Sequence, residues 1–113
     1  MPPADEHVRL RHMLQAGTKA VTLLGGRSRD EFEADETLIL ALTRLLEILG
    51  EAAKAVPEET KTKESDIPWK AIAGTRDRLI HGYFDVDLDV VWVILSEDLP
   101  ALLPRLRRLV EEP

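Results

Sequence analysis

Leucine, alanine and other apolar residues recur at intervals of three and four along most of the 113-residue chain, and no stretch sustains the alternation of a half-buried strand. From about Pro3 to Leu24, the side chains Val8, Met13, Leu14, Val21 and Leu24 gather largely on one side, and the glycines of GGRS stop the helix. Ser28 and Glu31 stand at capping-box spacing and predict a brief second helix over Arg29 to Ala34. Asp35 then caps a long third helix reaching about Val56, in which Leu38, Leu42, Leu45, Leu46, Leu49 and Ala53 form one broad apolar face. The segment PEETKTKESDI, residues 57–67, is polar and reads as an exposed connector. Pro68 opens a fourth helix that turns Trp69, Ile72, Ala73, Leu79 and Ile80 inward and ends at Gly82. A fifth starts near Asp87 with Val90, Val91, Ile94 and Leu95. Pro100 and Pro104 each remove a backbone donor and predict a kink or break near Asp98, before the chain resumes through Leu106, Leu109 and Val110. The pattern is that of one all-α domain over residues 1–113, a bundle of four to five helices.

Composition narrows the chemistry more than the fold. The formal charge is -6, from 15 Lys and Arg against 21 Asp and Glu, which is the wrong sign for holding nucleic acid through a broad electrostatic footprint. Any RNA contact must therefore be local. Arg76, Arg78, Arg105, Arg107 and Arg108 all fall in the C-terminal half, where an anionic ligand is to be sought. The lack of cysteine excludes disulfides and thiolate catalysis. Charges at Asp5, Glu6, Arg9, Arg11 and Lys19 leave no apolar signal core, and no run approaches the roughly 18 apolar residues of a membrane span. A soluble, cytoplasmic protein without membrane attachment is expected. Asp85, Asp87 and Asp89 imitate the start of a calcium loop, but Val90 and Ser96 stand where its glycine and glutamate belong, and Asp87 reads instead as a helix cap. His7 and His12 lie on different helical faces and lack a third ligand. Neither metal nor cofactor is expected. Trp69 and Trp92 read as core or interface anchors.

The stretch GTRDRLIHGY, residues 74–83, carries the chemistry. Arg76 and His81 are separated by four residues, and an arginine followed by a histidine after four to six residues arises by chance roughly once in a chain of this composition. Requiring the sole tyrosine, Tyr83, two positions after the histidine lowers that expectation below about one in a hundred. The segment IPWKAIAGTRDRLIHGYFDVDLDVVWVILSEDLPALLPRL resembles the C-terminal half of the HepT-like (DUF86) branch of the HEPN superfamily, whose hallmark is R-x4-H-x-Y on a helix. LTRLLEILGEAAKAV and HMLQAGTKAV resemble that family's upstream helices, so the likeness covers nearly the whole chain. It implies a small all-α homodimer with its active cleft at the two-fold seam. It also implies a metal-independent ribonuclease, the toxin of a toxin–antitoxin pair whose partner is an MNT-type minimal nucleotidyltransferase. In that family the antitoxin can silence the toxin by adenylylating the motif tyrosine, which corresponds here to Tyr83.

The residues support such chemistry on their own terms. Attack of a ribose 2′-hydroxyl on the adjacent phosphate needs proton transfer and stabilised phosphoryl oxygens, and it does not require a metal. Histidine titrates near neutrality, while a guanidinium presents a fixed fork of donors. His81 is accordingly the candidate general acid or base and Arg76 the phosphate clamp. On a continuous helix, Asp77 lies one turn before His81 and would orient the imidazole, and Arg78 is placed to add a second phosphate contact. Five helical residues rotate roughly 140°, so Arg76 and His81 diverge around one helix, and a two-fold pairing brings both copies toward one cleft. Glu51, charged within LGEAA, is a candidate for lining that cleft or holding an arginine. Other readings stay open at this level. His81 before Gly82 could satisfy the last carbonyls of a helix. Arg76, Asp77 and Arg78 could form a solvated face. The chain could also be a non-catalytic helical dimer that serves as docking and modification partner of the nucleotidyltransferase.

Overall fold

The computed structural model describes the backbone of residues 3–81 and 85–111, with side chains over 7–80 and 85–111. Tyr83 and Gly82 lie outside the described residues, and His81 is described by its backbone alone. The chain is all-α, with one very short ribbon. Helix α1 spans Pro3–Leu24, α2 Arg29–Glu33, α3 Glu36–Lys54, α4 Glu58–Lys63, α5 Trp69–Ala73 and α6 Thr75–Leu79. Strands β1 (Ile80–His81) and β2 (Asp85–Val86) pair antiparallel, and α7 (Leu88–Val93), a π-helical turn (Ile94–Asp98) and α8 (Leu99–Glu111) complete the chain. Among the described residues no helix is long and apolar enough to cross a membrane.

The first three helices form where their end signals place them. Gly25 takes φ 61° and donates its N–H to Val21 O at 3.0 Å, while the Arg27 guanidinium covers the carbonyls of Leu23 and Leu24. Ser28 and Glu31 exchange both bonds of the capping box, and the Ser28 N–H above all holds the Glu31 carboxyl below the usual carboxylate range. Asp35 accepts from Leu38 N at 3.0 Å. Helix α3 runs antiparallel to α1: Arg9 and His12 near the start of α1 share a cleft with Glu51 and Ala55 near the end of α3, whereas Thr22 and Leu23 line a hollow with Leu45. Leu10, Met13, Ala16 and Ala20 from α1 and Leu38, Leu42, Leu46 and Leu49 from α3 enter one core. Phe32 is fully buried and packs on Trp92 with ring centroids 5.6 Å apart, which fastens α2 to α7.

Two expectations need correction, and a third takes a specific form. The segment 57–67 is not a bare connector, because Glu58–Lys63 forms a helix that follows Pro57 at the N-cap and buries Thr60. The Trp69 indole then donates to Glu64 O at 3.0 Å and pins the end of that segment. The fourth helix is not continuous either. It is divided at Gly74, where the Thr75 hydroxyl takes the Ile72 carbonyl at 2.6 Å, and it stops at Leu79 instead of Gly82, with Ile80 extended at φ -116° and ψ 122°. Ile80 then pairs opposite Val86 and His81 opposite Asp85, and Asp87 N donates to Leu79 O at 2.7 Å. The kink expected near Asp98 takes the form of a wide turn. Pro100 has no N–H to offer the Ser96 carbonyl, and Leu99 N–H reaches back five residues to Ile94 O. Pro104 sits inside α8 without ending it.

Gly50 sets the distance between α3 and α5. A Cβ there would stand 3.1 Å from Ile72 O and 3.7 Å from Ala73 O, and the Ile72 carbonyl is already held by Thr75. Alanine in a helix interior is normally favoured over glycine by about 0.5–1 kcal/mol, whereas overpacking against immobile backbone costs about 1–3 kcal/mol. Gly50→Ala is therefore expected to lower stability by about 1 kcal/mol net in urea unfolding, and Asp35→Ala by about 1 kcal/mol through the lost cap. A Gly50→Ala protein more stable than its parent would contradict this close approach.

Candidate active site

The site is built where α6 and β1 leave the surface of α3. Leu79 is fully buried and anchors the end of α6, and Thr75 at its start is buried and hydrogen-bonded to Ile72 O. Between these anchors Arg76, Asp77 and Arg78 are exposed. Arg76 leans back on α3, where its Nε donates to Glu47 Oε2 at 3.2 Å. The Glu47 side chain is only 19% exposed and Arg76 is 60% exposed, so the carboxylate is the fixed partner and the guanidinium the presented one. Among the described residues no hydrogen bond engages the Arg76 terminal nitrogens, which leaves both NH2 groups in fork geometry for an anion. A half-exposed pair of this kind contributes under about 1 kcal/mol to stability, so its main consequence is orientation.

His81 follows in β1, and its Cα lies in register with that of Asp85. The turn from helix to extended backbone at Ile80 changes two sequence readings. Asp77 and His81 are no longer one helical turn apart, so the spacing that was to let Asp77 orient the imidazole does not exist. Nor does the 140° rotation between Arg76 and His81 apply once the chain between them ceases to be helical. Arg78 sits two residues, or roughly 200°, around α6 from Arg76. It lines a separate cavity of about 490 Å³ between α6, the π turn and α8, together with Glu97 and Arg105. The structure thus separates Arg78 from the Glu47–Arg76 pair.

Glu51 is also elsewhere. It is exposed, meets Lys54 Nζ at 3.6 Å and borders the α1–α3 cleft with Arg9, His12 and Arg44. Glu47, one turn earlier on α3, is the carboxylate that holds an arginine. Sequence reasoning missed it, although Glu47 and Glu51 share the i, i+4 relation and the same outward face. Nothing in the local sequence distinguishes them; only the docking of α6 on α3 does.

Comparison with known proteins gives this geometry its family. The ribonuclease HepT-like model matches residues 13–109. A protein of Caldanaerobacter subterraneus subsp. tengcongensis, provisionally named an RNase, is 38% identical over 103 residues, spanning 91% of this chain and 92% of its own. A protein of Thermococcus cleftensis that carries the provisional name ribonuclease HepT is 41% identical over 80 residues, spanning 71% of this chain and 73% of its own. One from Methanocaldococcus jannaschii, also provisionally named an RNase, is 30% identical over 112 residues, spanning 99% of this chain and 93% of its own. No solved structure matches the chain. The matched span contains α3, α6 and the whole Arg76 to Tyr83 stretch, and the chain belongs to the HepT-like ribonuclease family.

Proposed function

We propose that the chain is a metal-independent endoribonuclease, the toxin of a toxin–antitoxin pair, acting on RNA as a homodimer. The observation that carries this reading is the presented fork of Arg76, braced by Glu47 and five residues before His81, in a chain of the HepT-like ribonuclease family. In the proposed reaction the ribose 2′-oxygen attacks the neighbouring phosphorus and the bond to the 5′-oxygen breaks. His81 moves the proton between the attacking and the leaving oxygen. Arg76 stabilises the charge that gathers on the phosphoryl oxygens, and Glu47 keeps its fork aimed outward. Asp77 keeps only a supporting role, while Arg78, in its separate cavity, and Glu51 are not part of this centre.

The partner in the proposal is an MNT-type nucleotidyltransferase that silences the enzyme by adenylylating Tyr83. The phenolic oxygen attacks the α-phosphorus of ATP, pyrophosphate leaves, and a bulky anion then stands two residues from the proposed proton carrier. Acidity shapes the substrate range. Two subunits of formal charge -6 carry about -12 together, which repels RNA at a distance and favours a substrate that fits the cleft.

Purified protein is expected to cleave RNA in EDTA, with Arg76→Ala and His81→Ala each lowering kcat/KM by about a hundredfold or more. RNA cleavage undiminished in His81→Ala would remove that residue from the mechanism. Glu47→Ala is expected to lower kcat/KM about tenfold by freeing the guanidinium, whereas Glu47→Gln, which keeps an acceptor for Nε, retains most of the activity. Equal losses in the two Glu47 variants would speak against orientation as its role. Incubation with the cognate nucleotidyltransferase and ATP is expected to add one AMP to the wild type and none to Tyr83→Phe, as read by intact-mass spectrometry, and to relieve the growth arrest caused by the wild type.

A further inference from the structure

The cleft between α1 and α3 gathers cations that the proposed centre does not use. Arg9 and His12, three residues apart on α1, face Arg44 on α3 across a hollow of about 210 Å³. Its floor is Ile48 with the small side chains Ala52 and Ala55, which deepen the groove where longer residues would fill it. Arg9 and Arg44 make no ion pair among the described residues, whereas Arg29, Arg76 and Arg105 each hold a carboxylate. Among the described residues the carboxylate at the rim is Glu51, which is engaged by Lys54, and that brings a further cation to the edge. In a chain with more carboxylates than cations, two guanidiniums that border one hollow, neither paired with a carboxylate among the described residues, form a local anion site.

Position links this cleft to Arg76. Arg44 precedes Glu47 by three residues on the same side of α3, about 4.5 Å along the helix axis, and Glu47 is the residue on which Arg76 rests. We infer that the α1–α3 cleft is a phosphate subsite, in which Arg9 and Arg44 hold the RNA backbone beyond the phosphate at Arg76. The inference rests on the ribonuclease reading and extends it by a second point of contact with the RNA backbone, in the cleft that Arg44 shares with Arg9. His12 stands beside the two arginines as an additional donor.

The test uses the full-length His81→Ala protein, so that RNA is bound and not consumed, and a short fluorescent oligouridylate followed by anisotropy over a salt series. Adding Arg9→Ala and Arg44→Ala is expected to weaken binding about tenfold at low salt. It should also reduce the slope of log K against log salt by about 1.4, at ~0.7 for each phosphate contact to a single strand. Both side chains are exposed, so the unfolding midpoint should not move; if the double variant is unstable, Arg44→Gln alone should still lower the slope by ~0.7. Unchanged affinity and slope would overturn the subsite, as would failure of the parent to bind oligouridylate. A short polyglutamate that binds the cleft as tightly as RNA would also overturn phosphate recognition there. The ribonuclease reading is decided separately, by cleavage with the wild type. Absence of cleavage together with a slope that depends on Arg9 and Arg44 would sink the enzyme and leave the subsite standing.

Discussion

At Gly50 a hydrogen stands where any other residue would bring a carbon, and α3 therefore lies directly against the carbonyl oxygens of Ile72 and Ala73. That approach fixes how far α5 and α6 stand from α3, and so whether an arginine on α6 can reach a carboxylate on α3. Ile72, Leu79 and Leu49 close the interface with apolar area, and Thr75 satisfies the carbonyl that the break at Gly74 would leave open. The Glu47–Arg76 contact is weak in energy and specific in geometry. It exists because stronger contacts on either side leave it little freedom.

Much of the architecture can be read from periodicity and end signals. Ser28, Asp35 and Asp87 act as caps where their spacing places them, and the leucines of α3 turn inward on one face. The misreadings have a common cause. Helix α4 is polar and short, so it has no apolar stripe to announce it, and its ends are fixed by Pro57 and by the Trp69 indole on Glu64 O. The end of α6 was read from Gly82, yet the chain leaves the helix at Ile80 because pairing with Val86 and the bond from Asp87 N to Leu79 O compete with another helical turn. Such a competition between distant residues has no signature in a window of ten.

The candidate residues are conspicuous in the sequence, whereas their arrangement is not. Arg76 and His81 stand out by residue type and spacing, but two of their supporting candidates, Asp77 and Arg78, are near neighbours on the same helix, and the third, Glu51, is suggested by its charge in an apolar setting. Arg78 turns to a separate cavity, and Glu51 borders the cationic cleft of α1. Glu47, the partner of Arg76, lies 29 positions away in the chain. An i, i+4 rule cannot find a contact that depends on two helices docking.

The π turn at Ile94–Asp98 has a consequence for the far end of the molecule. Ordinary helical winding from Val91 would aim α8 in one direction, and the extra residue held in that wide loop re-aims it by a fraction of a revolution. Trp92 can thereby stay on Phe32 while Leu103 comes down over Gly17. One nearly continuous rod thus serves two unlike neighbours. Excising a single residue from it would force the protein to choose which of them to lose.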